Sequence, residues 1–94
     1  MEHWTVQDRN GREIYLTQVE WEDHILAHHP ELAGLLDEVL ATIHSGQRKQ
    51  DRIRPNKYFY RRRSDLLPGN FTHIVVVVLF KPQNNYVVAA WPTS

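Results

Sequence analysis

The sequence predicts an α+β domain in which a short N-terminal β unit and two helices are followed by a three-stranded antiparallel meander. Apolar residues recur at helical spacing in residues 32–43, and residues 74–80 are all β-branched or apolar. Turn residues separate this second run from another β-prone segment near the C-terminus. The 94 residues contain no internal repeat or low-complexity linker, so residues 1–94 are expected to form a single domain.

The N-terminal β unit is predicted to be a hairpin. Residues 4–6 and 14–16 are two short β-prone runs, and Asn10-Gly11 lies between them. Asn-Gly readily adopts the positive φ angles of a tight hairpin turn, so this dipeptide is a strong turn signal. The two runs are therefore expected to pair with each other.

The first helix is predicted from the residues at its start. Thr17 is followed three positions later by Glu20, which is the spacing of a capping box, and acidic residues continue through the first turn. The helix is expected to extend to about His28. Pro30 disfavours a helical conformation of His29, so the chain is expected to change direction there.

The second helix is expected to begin at Glu31 and to end at Ile43 or His44. Its apolar positions share one helical face, and Gly46 is a natural terminator. A continuous apolar run follows later in the chain and is typical of a central strand with both faces covered. The predicted strands of the meander are residues 58–63, 74–80 and 86–91, with turns at 65–70 and 82–85.

The composition excludes several classes of protein. The chain has no cysteine, so disulfides, thiolate metal sites and cysteine nucleophiles are excluded. Its longest apolar run, residues 74–80, is too short to cross a membrane as a helix. The N-terminus lacks a basic region followed by an apolar stretch, so no secretory signal is expected. We expect a soluble cytoplasmic protein with no membrane partner.

Positive charge is concentrated in one aromatic-rich segment, residues 48–63. This segment contains eight cations and one carboxylate, for a formal charge of +7, whereas residues 1–47 contain two Arg and nine carboxylates, for −7. Cations among aromatic rings can hold phosphates and stack on bases, so nucleic acid or another polyanion is the predicted partner. A solvated charged surface is the simpler interpretation. The candidate RNA-binding residues are Arg48, Lys49, Arg52, Arg54, Lys57, Tyr58, Arg62 and Arg63.

Three histidines lie at the end of the first helix. At helical spacing His24 and His28 lie on the rim of the buried face, while His29 points more directly inward. The rim pair could act as general base and general acid, because histidine titrates near neutrality. A metal site is a second interpretation, but Ile25 stands where a zincin has its glutamate, and a third ligand would have to come from elsewhere. The third interpretation is that these side chains only cap or pack the helix end.

Three blocks of sequence together resemble a known nuclease group. They are Trp-x-x-His-Ile…His-Pro-Glu within residues 21–32, Arg-Pro…Tyr-x-Tyr-Arg within residues 54–61, and Val-Val-Ala-Ala-Trp at residues 87–91. In this order they resemble the phage and mobile-element branch of the barnase–EndoU–colicin–RelE-like (BECR) nucleases. The resemblance covers about residues 14 to 92 and implies a RelE-like domain with an antiparallel sheet whose face holds RNA.

The resemblance further implies metal-independent cleavage of RNA without a cofactor, as in toxin ribonucleases. A base deprotonates the ribose 2′-hydroxyl, which attacks the adjacent phosphate, and an acid protonates the leaving oxygen. His24 or His28 would be the base or the acid. Arg61 would hold the phosphate, and Tyr60 would donate its hydroxyl or stack on a base. Strand alternation puts Tyr60 and Arg61 on opposite faces unless a bulge intervenes, and the sequence leaves open which set faces the site.

Two other functions stay open at this stage. Relatives often carry Thr or Ser where this chain has Ala89, which favours a catalytically inactive module that binds RNA or protein. The separation of acidic and basic segments instead favours assembly, either between copies of the chain or with an acidic antitoxin.

Overall fold

The computed structural model describes residues 2–94, which form one mixed six-stranded sheet with two helices packed on one of its faces. The strand order across the sheet is β1-β2-β6-β5-β4-β3. The α+β class predicted from the sequence is confirmed. The strands are β1 His3–Gln7, β2 Glu13–Thr17, β3 Gln47–Gln50, β4 Lys57–Arg63, β5 His73–Phe80 and β6 Asn85–Thr93.

The predicted layout of a separate three-stranded meander is wrong. The N-terminal hairpin forms as expected, but β2 also pairs in parallel with β6, through Ile14 with Asn85 and Tyr15 with Tyr86. The hairpin therefore belongs to the same sheet as the C-terminal strands. At the opposite edge, β3 adds a strand that the sequence did not predict, because its Gln-Arg-Lys-Gln sequence has no apolar alternation.

The first helix begins and ends as predicted. The backbone N–H of Glu20 donates to the Thr17 hydroxyl over 3.1 Å, as in a capping box. The helical conformation begins at Gln18, a π-helical segment covers Glu20–Ile25, and an α-helical turn, Leu26–His28, completes what we call the N-terminal helix, residues 18–28. His29 then leaves the helical region with φ −134° and ψ 71°, immediately before Pro30.

The second helix begins five residues later than predicted. Pro30–Leu32 forms only a 3₁₀ turn, and the second helix covers Leu36–Ser45. Gly34 explains the difference, because its φ of +78° lies in the left-handed region, which a right-handed helix does not use. Gly46 ends the helix as expected. A Cβ at Gly46 would lie 2.9 Å from the Arg61 carbonyl oxygen, so only glycine lets the chain pass this close to β4.

The core lies between the helices and one face of the sheet. Val39 and Ile43 of the second helix and Trp21 and Ile25 of the N-terminal helix are buried there, together with alternate residues of β2, β4, β5 and β6. The opposite sheet face, which we call the open face, carries the other alternate residues. No helix of residues 2–94 is long and apolar enough to cross a membrane.

The central strand β5 is buried on both sides, although helices cover only one of them. On the open face Val75 and Val77 have exposed fractions of only 8% and 2%. Val75 pairs with Arg61 on β4 and Trp91 on β6, and large neighbours of this kind cover it within the sheet surface. Burial of β5 was predicted correctly, but it needs no second layer of helices.

Candidate functional site

A groove runs between the N-terminal helix and the edge of β6. It has a volume of about 210 Å³. The parallel pairing of β2 with β6 stops at Tyr86, so beyond that residue the edge of β6 faces the helix instead of a strand. A β-bulge contributes to this edge, because Val77 pairs with Ala89 and Val78 with Val87, which leaves Val88 as the additional residue. The groove, which we call the histidine groove, is lined by Glu20, His24, Ile25, His28, His29, Val88, Ala89, Ala90 and Trp91.

The helical period places the histidines at the rim of the buried face. Trp21 and Ile25 are buried in the core, whereas His24 and His28 are exposed and His29 is partly buried. This arrangement agrees with the placement predicted from the spacing of the residues. The core residues on one side of the helix thereby hold the two exposed imidazoles against β6.

Both exposed histidines are held through the same ring nitrogen. His28 Nδ1 lies 2.7 Å from the carbonyl oxygen of His24. A carbonyl oxygen can only accept, so Nδ1 carries the proton, and the neutral ring has its lone pair on Nε2. His24 Nδ1 contacts the carboxylate of Glu20. In each ring Nε2 is therefore the nitrogen that has no partner among residues 2–94.

The histidine groove is continuous with the open face of the sheet. Trp91 lines the groove and pairs with Val75, which in turn pairs with Arg61 on β4. Adjacent strands are about 4.8 Å apart, so the Arg61 backbone lies about 10 Å from that of Trp91. Arg61 has no carboxylate partner among residues 2–94. The groove thus presents two imidazoles and an indole, while Arg61 lies two strands away on the open face and lines depressions towards β3 and the end of β4.

The cations of the basic segment are divided between the two sheet faces and a loop. Register with Phe59 and Arg61 puts Lys49, Lys57 and Arg63 on the open face. Arg52 and Arg54 lie in the exposed loop between β3 and β4. Three of the predicted RNA-binding residues lie on the helix-covered face instead. They are Arg48, Tyr58 and Arg62, of which Arg48 stacks over Tyr58 at 4.7 Å and Arg62 lies 3.4 Å from Glu38.

Tyr60, a predicted catalytic residue, lies in the core and is hydrogen-bonded to a buried carboxylate. Its hydroxyl donates to Asp8 Oδ2 over 2.7 Å, and the exposed fractions of Tyr60 and Asp8 are 1% and 5%. Burial, followed by the bond to Asp8, raises the pKa of Tyr60 above its ordinary value. Tyr60 and Arg61 lie on opposite faces, as strand alternation required, and the structure brings only Arg61 to the side of the sheet that adjoins the histidine groove.

The Asp8 carboxylate is held by several donors. Burial by itself raises the pKa of Asp8, but the hydrogen bonds from Tyr60 and from the backbone of Arg12 and Asn10 outweigh it, with help from Arg48 at 3.7 Å. The net effect is a pKa below the ordinary value. The three side chains of this Asp8 cluster, Asp8, Tyr60 and Arg48, connect the N-terminal hairpin to β3 and β4.

A cationic depression separate from the histidine groove lies at the end of β4. It has a volume of about 290 Å³, and Arg9, Arg61, Arg62, Arg63 and His73 contribute to its lining. Partial burial and the nearby guanidinium groups of Arg61 and Arg63 lower the pKa of His73. A neutral imidazole is therefore favoured there, which leaves the arginines as the cationic groups of this depression.

Two residues of the groove were not identified as functional from the sequence. Glu20 was recognised only as a capping residue, although its spacing of four from His24 is the spacing at which helical side chains meet. Trp91 was noted in the sequence only as the last residue of the third resemblance block, and in the structure it lies partly exposed and lines the groove. The role of Glu20 could have been found from its spacing to His24, whereas that of Trp91 depends on where β6 lies in the sheet.

Neither a group of metal ligands nor a related protein identifies the activity of this groove. Within residues 2–94 no three His, Cys, Asp or Glu side chains are grouped closely enough to hold a metal ion. No protein-family model, curated protein or solved structure was found to match the chain.

Proposed function

We propose that this protein is a small ribonuclease of the BECR type that cleaves RNA without a metal ion. The observation that carries the proposal is the pair of imidazoles in one groove, each held through Nδ1, with no partner for Nε2 within the described part of the chain. Two such nitrogens are the minimum that cleavage by acid and base requires. The open face beside them supplies cations for the RNA backbone.

His28 is assigned as the general base. Its Nδ1–H donates to a neutral carbonyl, so the lone pair on Nε2 is available to accept the proton of a ribose 2′-hydroxyl. The 2′-oxygen then attacks the adjacent phosphorus, and the bond from phosphorus to the 5′-oxygen breaks. The products are a 2′,3′-cyclic phosphate and a 5′-hydroxyl.

His24 is assigned as the general acid. An imidazolium donates from both nitrogens, so a protonated His24 can donate to Glu20 from Nδ1 and to the leaving 5′-oxygen from Nε2. Arg61, two strands from Trp91 on the open face, is assigned to bind a phosphate oxygen of the substrate. Its planar guanidinium can contact two phosphate oxygens at once, which suits the charge that builds up during attack.

The test is incubation of the purified protein with end-labelled RNA in EDTA. Wild type is expected to leave a 2′,3′-cyclic phosphate, and His24→Ala and His28→Ala are expected to lose about 100-fold or more in rate. His44→Ala is the matched control, because His44 also has Nδ1 on a carbonyl oxygen but lies outside the groove. An RNA with 2′-deoxyribose at the cleaved position should stay intact.

Intact RNA after incubation with folded wild type, across several RNA sequences, overturns the proposal. One specific observation then favours a binding module: the edge of β6 in the groove has Ala89, which has no hydroxyl to contact a phosphate. In that case wild type and the three alanine variants should each slow the migration of RNA in a gel without cleaving it. Affinity for an acidic antitoxin or for a second copy stays a prediction, which sedimentation at low and high salt would test.

A further inference from the structure

A second pocket on the open face lies apart from the histidine groove. It has a volume of about 470 Å³, within the range of small-molecule sites, and lies between β4 and the loop that joins β3 to β4. Phe59 contributes one wall from the sheet, and Ile53 contributes another from the loop. The remaining lining residues of this loop pocket are Lys49, Gln50, Asp51 and Arg52.

Ile53 is unusual because it is apolar and almost fully exposed. Its exposed fraction is 87%, the largest among the exposed large apolar residues of the described chain, and Arg52 and Arg54 flank it. Single exposed apolar residues are common and need no explanation by themselves. This residue differs because it lies between two cations and beside an aromatic wall.

The loop that carries Ile53 is held by its own hydrogen bonds. The backbone N–H of Asp51 donates to the Lys57 carbonyl over 2.8 Å, and Lys57 N–H donates to the Arg54 carbonyl over 2.9 Å. The Asp51 carboxylate accepts from Arg54 N–H at 3.0 Å, and the Gln50 amide donates to the Pro55 carbonyl at 2.7 Å. These hydrogen bonds therefore hold the loop in a conformation that exposes the aliphatic side chain of Ile53 to solvent, in the same pocket as the Phe59 ring.

We infer that the loop pocket binds one unpaired base of single-stranded RNA, stacked on Phe59 and packed against Ile53. An aromatic ring offers a stacking surface to any base, and neighbouring cations offer contacts to its phosphates. Lys49 and Arg52 line the same pocket, and Lys57 lies 5.4 Å from the Phe59 ring. A base paired within a duplex has both faces stacked on its neighbours, so only an unpaired base can enter.

A protein or membrane partner fits this pocket less well. A membrane contact would bury several apolar side chains on one surface, whereas Ile53 is the single strongly exposed one in this loop. The pocket also lies on the open face, where Phe59 and Lys49 line both this pocket and a depression of about 500 Å³ that Arg61 and Val75 help to line. Two neighbouring depressions that share one ring suit successive nucleotides of a single strand.

This inference rests on the proposed function for the identity of the polymer, and it can be tested apart from cleavage. The probe is a single-stranded RNA oligonucleotide with 2′-O-methyl riboses, which cannot be cleaved, and with 2-aminopurine at successive positions. Wild type is expected to change the fluorescence strongly at one position only, because the base there leaves its neighbours in the strand and stacks on Phe59. The same oligonucleotide annealed to its complement should bind at least about tenfold more weakly.

Variants of the two walls identify the pocket. Phe59→Leu should weaken binding about tenfold and remove this fluorescence change, whereas Phe59→Tyr retains the ring and should retain both the affinity and the change. Ile53→Ala should weaken binding on the order of fivefold. Leu66→Ala is the matched control, since Leu66 is also an exposed apolar loop residue, with an exposed fraction of 65%, but does not line the pocket.

The outcomes separate this inference from the proposed function. If Phe59→Leu and Ile53→Ala bind like wild type, or if the duplex binds equally well, the loop pocket is not a base site, whatever the cleavage assay shows. If the variants lose binding as expected while ribose-containing RNA stays intact, the base site is supported and the ribonuclease proposal is wrong. Failure of wild type to bind any single-stranded RNA overturns both.

Discussion

Replacing Tyr60 by phenylalanine tests the physical account of the Asp8 cluster. The substitution removes only the hydroxyl that donates to Asp8 over 2.7 Å, and the side chain is otherwise accommodated in the same core site. A hydrogen bond to a charged group contributes about 1.5–3 kcal/mol, and its loss leaves a buried carboxylate with one donor fewer. We therefore expect the free energy of unfolding to fall by about 2 kcal/mol near neutral pH.

The loss should depend on pH in a defined direction. The pKa of Asp8 lies below its ordinary value of 3.8, so its stabilising effect is present above that value and is lost as pH falls through the folded-state pKa. Tyr60→Phe removes one cause of the lowered pKa, so the difference between the variant and wild type should narrow below about pH 4. The raised pKa of Tyr60 makes wild type lose stability as pH rises above the ordinary value of 10.0, which should narrow the difference again.

The assay is urea unfolding followed by tryptophan fluorescence, in buffers near pH 3, pH 7 and pH 10.5. Tyr58→Phe is the matched control, because Tyr58 lies two residues away on the same face of β4 and makes no hydroxyl hydrogen bond among the described residues. It should change the free energy of unfolding by less than about 0.5 kcal/mol. A Tyr60→Phe protein as stable as wild type at neutral pH, or a difference that stays constant down to acid pH, would refute the reasoning.

Three further predictions follow from the packing and the groove. Gly46→Ala should destabilise the fold by about 1–3 kcal/mol in thermal or urea unfolding, because the alanine Cβ would clash with the carbonyl oxygens of Thr42 and Arg61. An unchanged unfolding midpoint would contradict the close approach of the chain to β4 at this position. Glu20→Gln should slow cleavage about tenfold with little change in RNA affinity, because the neutral amide no longer stabilises a protonated His24. A cleavage rate equal to that of wild type would mean that Glu20 has no role in the reaction. Arg61→Ala should weaken RNA binding and reduce the steepness of the fall of log affinity with log salt concentration by about one. An unchanged salt dependence would mean that Arg61 contacts no phosphate.

Local sequence signals were sufficient for several elements. The N-terminal hairpin, the Thr17 cap, the break before Pro30 and the apolar run of β5 each depend on residues close together in the chain, and each forms as predicted. The start of the second helix was predicted wrongly, although Gly34 was visible. Its apolar neighbours fit a helical period, and the period does not reveal which conformation a glycine adopts.

The sheet shows the limit of such signals. β3 consists of polar residues and is a strand only because its backbone pairs with β4, so no pattern of its own could reveal it. The parallel pairing of β2 with β6 joins residues about 70 positions apart, and register at that range is set by packing of the whole sheet. The three-stranded meander predicted from the sequence was therefore incomplete at both edges.

For the candidate site, the sequence by itself determined the chemistry that is available: paired histidines at helical spacing, a basic aromatic segment and the absence of thiols. Strand alternation also determined that Tyr60 and Arg61 face opposite ways. Only the tertiary structure decided which of them lies on the open face, because the side of the sheet covered by helices is chosen by long-range packing of the core. The same packing put Tyr60 against Asp8, far along the chain, and opened a groove beside β6 where two imidazoles, Glu20 and Trp91 meet.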